Sequence, residues 1–145
     1  MRKHVFTIAI LSALTWCVST GCKHDAGIIV LPVAQPAPAG PSAGNWIINY
    51  LVLGTEDMSH HLDGYTFTFK QGGAIAVDTK VTIVDGSWIT SMESNNPKIV
   101  MSMANADAML AELNHDWIIK TNNDTSLQIT RGAGFTYSEV HFIRP

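Results

Sequence analysis

The residues best suited to bind a metal ion crowd into one short stretch of the chain. Two histidines and three acidic residues lie there: Glu56, Asp57, His60, His61 and Asp63. Imidazole and carboxylate groups are good ligands for zinc and related metals, and a loop can bring them together. Adjacent histidines on extended backbone point apart, however, and the spacing matches no established ligand pattern. We therefore expect a solvated acidic loop, with no metal and no other cofactor.

Residue types used in nucleophilic catalysis occur without the sequence context that marks a nucleophile. Ser, His and Asp are all present, but the chain has no G-x-S-x-G nucleophile elbow. The glycines at 72–73 and 132–134 fall between predicted strands, so they indicate hairpin turns and not phosphate-binding loops. We expect no catalytic residues and predict that the protein is not an enzyme.

The first 22 residues have the layout of a bacterial lipoprotein signal. Arg2 and Lys3 form a basic start, residues 5–18 are mostly apolar, and small residues precede Cys22. This layout is typical of a secretory signal, whereas a membrane-spanning helix needs roughly 20 apolar residues. The ending resembles a lipobox, in which Cys22 becomes the lipid-bearing first residue. We predict a signal peptide over residues 1–21 and lipidation at Cys22.

The anchor and the charge balance predict location and partners. Beyond residue 22, seven Lys and Arg residues stand against twelve Asp and Glu residues, a balance that disfavours nucleic acid. Membrane contact is therefore expected through acyl chains such as palmitate on Cys22, since two or more chains anchor stably. Lys23 stands where an inner-membrane retention signal would have aspartate, which favours the outer membrane of the cell envelope.

A change in composition separates a tether from a folded domain. Residues 22–44 are rich in Pro, Ala and Gly and hold four of the six prolines: Pro32, Pro36, Pro38 and Pro41. Proline is excluded from helix interiors and central strands, so this stretch is expected to be extended. Residues 45–145 are enough for one domain.

Short runs of alternating apolar and polar residues fill the domain, which is the all-β pattern. Strands are expected over residues 46–53, 65–70, 74–77, 81–90, 98–103, 116–120, 126–131 and 137–143. One short helix is expected near 105–114, with Asn105 as its N-cap. Eight sequential antiparallel strands predict an up-and-down barrel, with a two-sheet sandwich as the alternative.

The alternation also predicts which side chains face the inside of such a barrel, where they would contact a ligand. These residues are Tyr65, Phe67, Phe69, Ile75, Val77, Val140 and Phe142. A shift of one residue would invert every choice, because successive side chains of a strand point to opposite faces.

The segment Gly44-Asn45-Trp46 resembles the G-x-W motif of lipocalins. In that family the tryptophan closes one barrel end and a basic residue near the last strand packs across it. The resemblance therefore implies that Arg144, or Arg131 as second choice, covers Trp46. Residues 63–69, 86–88 and 113–117 are also similar to small lipocalin-like lipoproteins of Bacteroidetes-type bacteria, and the whole resemblance spans about residues 44–144.

Two functions follow, from different classes. The leading prediction is an envelope-anchored lipoprotein that binds a small apolar ligand inside its barrel without catalysis. The alternative is a protein-interaction or inhibitor module with a filled core, which contacts another envelope protein through loops 54–63 and 105–114. A connected apolar cavity of a few hundred cubic ångströms would favour the first, and a solidly packed interior the second.

Overall fold

The computed structural model describes residues 36–145, which form a closed antiparallel β-barrel. Apart from one strand of two residues at the edge of the first, the strands pair in sequence order and the last pairs back onto the first, so eight strands close the ring. The eight-stranded barrel expected from the sequence is confirmed. The predicted signal peptide, Cys22 and the tether up to residue 35 lie outside the described residues. The strand bounds are β1 Gly44–Leu53, β2 Glu56–Asp57, β3 Thr66–Phe69, β4 Ala74–Asp78, β5 Ile83–Glu93, β6 Asn96–Met103, β7 Asp116–Asn122, β8 Ser126–Arg131 and β9 Ser138–Ile143.

The pairing register assigns every connection to one of two barrel ends. Gly44 pairs with Phe69, and Ile47 pairs with Ile143, so the start of β1, the end of β3 and the end of β9 share one end. We call this end the base and the opposite end the rim. The rim carries four connections, at residues 54–65, 79–82, 104–115 and 132–137.

Apolar side chains from every strand of the ring fill the interior. Phe142 is the centre of an aromatic cluster, with its ring centroid 5.3 Å from Phe67 and 5.7 Å from Phe69. Trp46 contacts Phe69 edge to face at 6.3 Å. Such edge-to-face pairs add stability beyond the burial of their surface.

The helical insertion is shorter than expected and has a different cap. The helix α1 covers Ala108–Ala111, and the side chain of Asp107 accepts a 2.8 Å hydrogen bond from the Leu110 amide. The prediction of Asn105 as N-cap is wrong, because its φ of 56° is left-handed and a cap needs extended backbone. Leu110 and Leu113 are fully buried, so the insertion packs onto the core from the rim. Within residues 36–145, no helix has the length and apolar character needed to cross a membrane.

A segment that precedes β1, residues 38–43, crosses the base of the barrel. The Thr90 hydroxyl donates a 2.7 Å hydrogen bond to a carbonyl of this segment, and the Asn122 amide donates to the Gly40 carbonyl at 3.1 Å. A Cβ atom on Gly40 would lie 2.0 Å from the Trp88 ring, so glycine is required for this close approach. The sequence prediction counted this base segment as tether, whereas its contacts make it part of the folded barrel.

Candidate functional site

The structure places six of the seven predicted ligand-contacting residues in the packed core. None of the six is more than 1% exposed: Phe67, Phe69, Ile75, Val77, Val140 and Phe142. Tyr65 is half-buried before β3 at the rim, where it packs against this core and its hydroxyl donates a 3.1 Å hydrogen bond to Asp107. The six core residues therefore pack against one another, and Tyr65 ties two rim connections together.

The base is closed by an arginine that stacks on a tryptophan. The guanidinium carbon of Arg144 lies 4.9 Å from the Trp46 ring centroid. Its Nη2 donates hydrogen bonds to the Ser42 hydroxyl at 2.8 Å and to the Ala43 carbonyl at 2.9 Å. Trp46 Nε1 donates to the Ser42 carbonyl at 3.0 Å. Because Ser42 and Ala43 belong to the base segment, the stack also fixes that segment across the barrel opening.

A second arginine closes the rim in the same way. Arg131 lies 5.0 Å from the Trp117 ring centroid and makes a 2.9 Å ion pair with Glu112. Trp117 Nε1 donates to the Leu113 carbonyl at 3.1 Å, which joins the stack to the residues after α1. Sequence reasoning named Arg131 only as a second choice to cover Trp46. The pairing of β7 with β8, which places these two residues side by side, is the signal that could have found this stack.

In the acidic loop around residues 56–63, which the sequence predicted to be solvated, Ser59 hydrogen-bonds to Asp57. Ser59 donates from its amide and its hydroxyl to Asp57, at 2.9 Å and 2.6 Å, and these bonds lower the pKa of the Asp57 carboxyl. The rings of His60 and His61 lie 4.1 Å apart, because the backbone here is a 3-10 helix and not extended. In the described part of the chain, no three His, Cys, Asp or Glu side chains are grouped to hold a metal ion.

A polar cluster on the outer wall was missed by sequence reasoning. Glu139 accepts a 2.8 Å hydrogen bond from the Tyr137 hydroxyl and contacts His141 Nε2 at 2.7 Å. The bond to His141 is the main cause that lowers the pKa of Glu139, while burial raises the pKa of Tyr137 to about 12. Tyr137 stands immediately before β9, and Glu139 and His141 follow at i+2 and i+4, a spacing that could have indicated one shared face. Both carboxylate oxygens of Glu139 are therefore engaged within the cluster.

The rim carries large apolar side chains in contact with solvent. Val81 and Phe135 are 93% and 91% exposed, and Ile83 is 65% exposed. They belong to the connections after β4 and β8 and to the start of β5, and not to the two loops that the sequence favoured. A cleft of about 260 Å³ adjoins Ile83 and is lined by Thr82, Ile83, Val84, Asp85, Ala104 and Asn105.

Comparison with known proteins finds a match to the fold. A crystal structure at 1.00 Å of a DUF4847 family protein from Bacteroides vulgatus ATCC 8482 superposes with a TM-score of 0.52. The two sequences are 12% identical, and the match covers 71% of this chain and 93% of the other. No protein-family profile and no curated protein sequence matches the chain. At this identity the similarity shows a barrel fold shared with a Bacteroides protein.

Proposed function

We propose that this protein is a lipid-anchored, non-catalytic interaction module of the cell envelope, which presents the rim of a filled barrel to another envelope protein. The observation that carries this proposal is the packing of the interior. Aromatic and aliphatic side chains occupy it, and an arginine–tryptophan stack covers each end. Because protein interiors are as dense as organic crystals, a ligand inside this barrel would have to displace core side chains.

The distribution of exposed apolar groups supports contact through the rim. The described part of the chain enters the barrel through the base segment, which is bonded to the ring at that end. Val81, Ile83 and Phe135 are exposed at or near the opposite end. Aromatic side chains such as Phe135 are enriched in protein–protein interfaces.

The other function predicted from the sequence is small-ligand binding inside the barrel. Two experiments distinguish it from the interaction module. Full-length protein would be extracted from its own membranes and weighed intact by native mass spectrometry. In parallel, a photo-cross-linking amino acid would replace Phe135 at the rim or, as a matched control, Ile89 on the outer wall, which is 64% exposed.

We expect a mass that carries only acyl groups, together with protein adducts from position 135 and none from position 89. A small molecule retained at one copy per barrel in every preparation would overturn the proposal and support ligand binding instead.

A further inference from the structure

A concave site lies at the rim end of β5. The cleft of about 260 Å³ has one wall formed by residues 82–85 and the other by Ala104 and Asn105, which follow β6. The Ala104 amide donates a hydrogen bond to the Asp85 carbonyl at 3.2 Å, which fixes the two walls to each other. The cleft is therefore formed by backbone that the barrel itself holds in place.

The apolar groups of this site are unusually open to solvent. Ile83 lines the cleft with 65% of its surface exposed, and the neighbouring Val81 is 93% exposed. A single exposed apolar side chain is ordinary on a protein surface. Ile83, however, is exposed within a concave site, which is the arrangement that binding sites use for apolar groups.

The charge around the cleft is negative. Asp78 lies directly opposite Ile83 in the pairing of β4 with β5, and Asp85 lines the cleft two residues further along β5. Both are exposed, and within residues 36–145 the ion pairs involve other residues. Lys80 lies between them in sequence, but its side chain extends over Gly64 in the neighbouring rim connection. One oxygen of Asp78 accepts a 2.9 Å hydrogen bond from the Lys80 amide, so the site offers the other oxygen of Asp78 and the Asp85 carboxylate to an incoming cation.

We propose that this cleft is a docking site for a short segment of a partner protein in which an apolar side chain adjoins a lysine or arginine. The apolar side chain enters the cleft against Ile83, and the cation lies between Asp78 and Asp85. This inference rests on the proposed function and adds the chemistry of the partner. Charge complementarity excludes an anionic lipid surface as the occupant, because the same carboxylates would repel it.

Three synthetic peptides of equal length test the chemistry: one alternates Lys and Leu, one has Glu in place of Lys, and one has Ser in place of Leu. Full-length protein in zwitterionic lipid nanodiscs would be titrated by fluorescence anisotropy, with empty nanodiscs as background. We expect the Lys–Leu peptide to bind and the other two to bind about tenfold more weakly or not at all, since a tenfold loss corresponds to about 1.4 kcal/mol.

Variants of the protein then locate the site. Ile83→Ser and Asp85→Asn should each weaken binding of the Lys–Leu peptide by about fivefold to tenfold, the size of one lost interface contact. Ile89→Ser is the matched control, because Ile89 lies on the same face of β5 with 64% of its surface exposed against 65% for Ile83. Its affinity for the peptide should equal that of the wild type.

The inference is overturned if Ile83→Ser and Asp85→Asn bind the peptide like wild type, or if the Glu–Leu peptide binds as tightly. Binding of the protein to anionic vesicles, lost in Ile83→Ser, would assign the site to a lipid surface instead. If Ile83→Ser binds the peptide like wild type while protein adducts still form from position 135, the interaction module stands and only this cleft is rejected. If rim adducts are absent and a small molecule co-purifies, the proposed function itself fails.

Discussion

Arg144 lies over the indole ring of Trp46, with its guanidinium carbon 4.9 Å from the ring centroid. Arg131 repeats this relationship with Trp117 at 5.0 Å. The pairing register puts the first stack at the base and the second at the rim. One kind of contact, a cation over an aromatic face, thus closes the barrel at two separate places, and each stack also holds a neighbouring segment.

Replacing Arg144 by alanine should destabilise the protein by about 2–3 kcal/mol, because the half-buried cation–π contact with Trp46 and the hydrogen bonds to Ser42 and Ala43 are lost together. Arg144→Lys should recover part of this, since lysine keeps the charge but not the planar donors. Urea unfolding followed by tryptophan fluorescence measures the effect. Lys70→Ala, at an exposed position, is the control and should change stability by less than about 0.5 kcal/mol. An equally small effect of Arg144→Ala would show that the stack does not stabilise the base.

Phe142→Ala should destabilise the protein by about 3–5 kcal/mol, because it removes the centre of the aromatic cluster and leaves a cavity. The cavity would be lined by Phe67 and Phe69, and an apolar cavity of this kind can bind benzene. Benzene should therefore raise the melting temperature of Phe142→Ala and leave the wild type unchanged. Phe135→Ala is a matched control, since the same substitution at a 91% exposed position should change stability little. A benzene-dependent increase in the wild type would show that the native interior already has room for a ligand.

Tyr137 should titrate well above the usual range of a tyrosine, since burial and the bond to Glu139 raise its pKa from 10.0 to about 12. The folded state therefore holds a proton that the unfolded state releases above pH 10. Stability from this group is complete below pH 10 and is lost as the pH rises to about 12. Phenolate absorbance should show this late step, and Tyr137→Phe should remove both the step and the loss of stability. A late step that persists in Tyr137→Phe would assign it to another tyrosine.

The barrel could be predicted because period-two spacing survives in nearly every strand. Phe67 and Phe69 alternate with polar residues, so their faces follow from the pleat alone, whatever the strand pairs with. The cap of α1 could not be chosen in this way. Asn105 and Asp107 are both good capping residues, and the choice depends on a backbone angle that tertiary packing determines.

The assignment of Asp107 as the N-cap of α1 gives a prediction about stability. Asp107→Ala should cost about 0.5–2 kcal/mol, because the Leu110 amide loses its cap, and the Tyr65 hydroxyl loses its acceptor at the same time. Asn105→Gly should be neutral or stabilising, since glycine adopts a φ of 56° without strain. Thermal unfolding of both variants beside the wild type decides this. A larger loss of stability in Asn105→Gly than in Asp107→Ala would show that Asn105 caps the helix.

The rim surface was harder to predict than the core, for a physical reason. The sequence shows that Val81 and Ile83 are apolar, and apolar residues at strand ends are usually assigned to the core. At positions i and i+2 they would share one face of a strand, and whether that face is the inner one depends on the register of β5 against β4. The structure begins β5 at Ile83 and leaves both side chains exposed. Likewise, the stack of Arg131 on Trp117 requires the register of β7 against β8, which no local pattern contains.

The predicted lipidation of Cys22 can be tested against a second cysteine, Cys17, in the same signal. The chain has two cysteines, and only Cys22 follows the small residues of the lipobox-like ending. Cys22→Ser should abolish incorporation of a palmitate analogue and leave residues 1–21 attached in the intact mass. Cys17→Ser, inside the apolar run, should be processed and acylated like wild type, because serine there keeps the size and leaves the acceptor thiol at position 22 in place. Acylation of Cys22→Ser, or its loss in Cys17→Ser alone, would contradict lipidation at Cys22 and with it the anchored half of the proposed function.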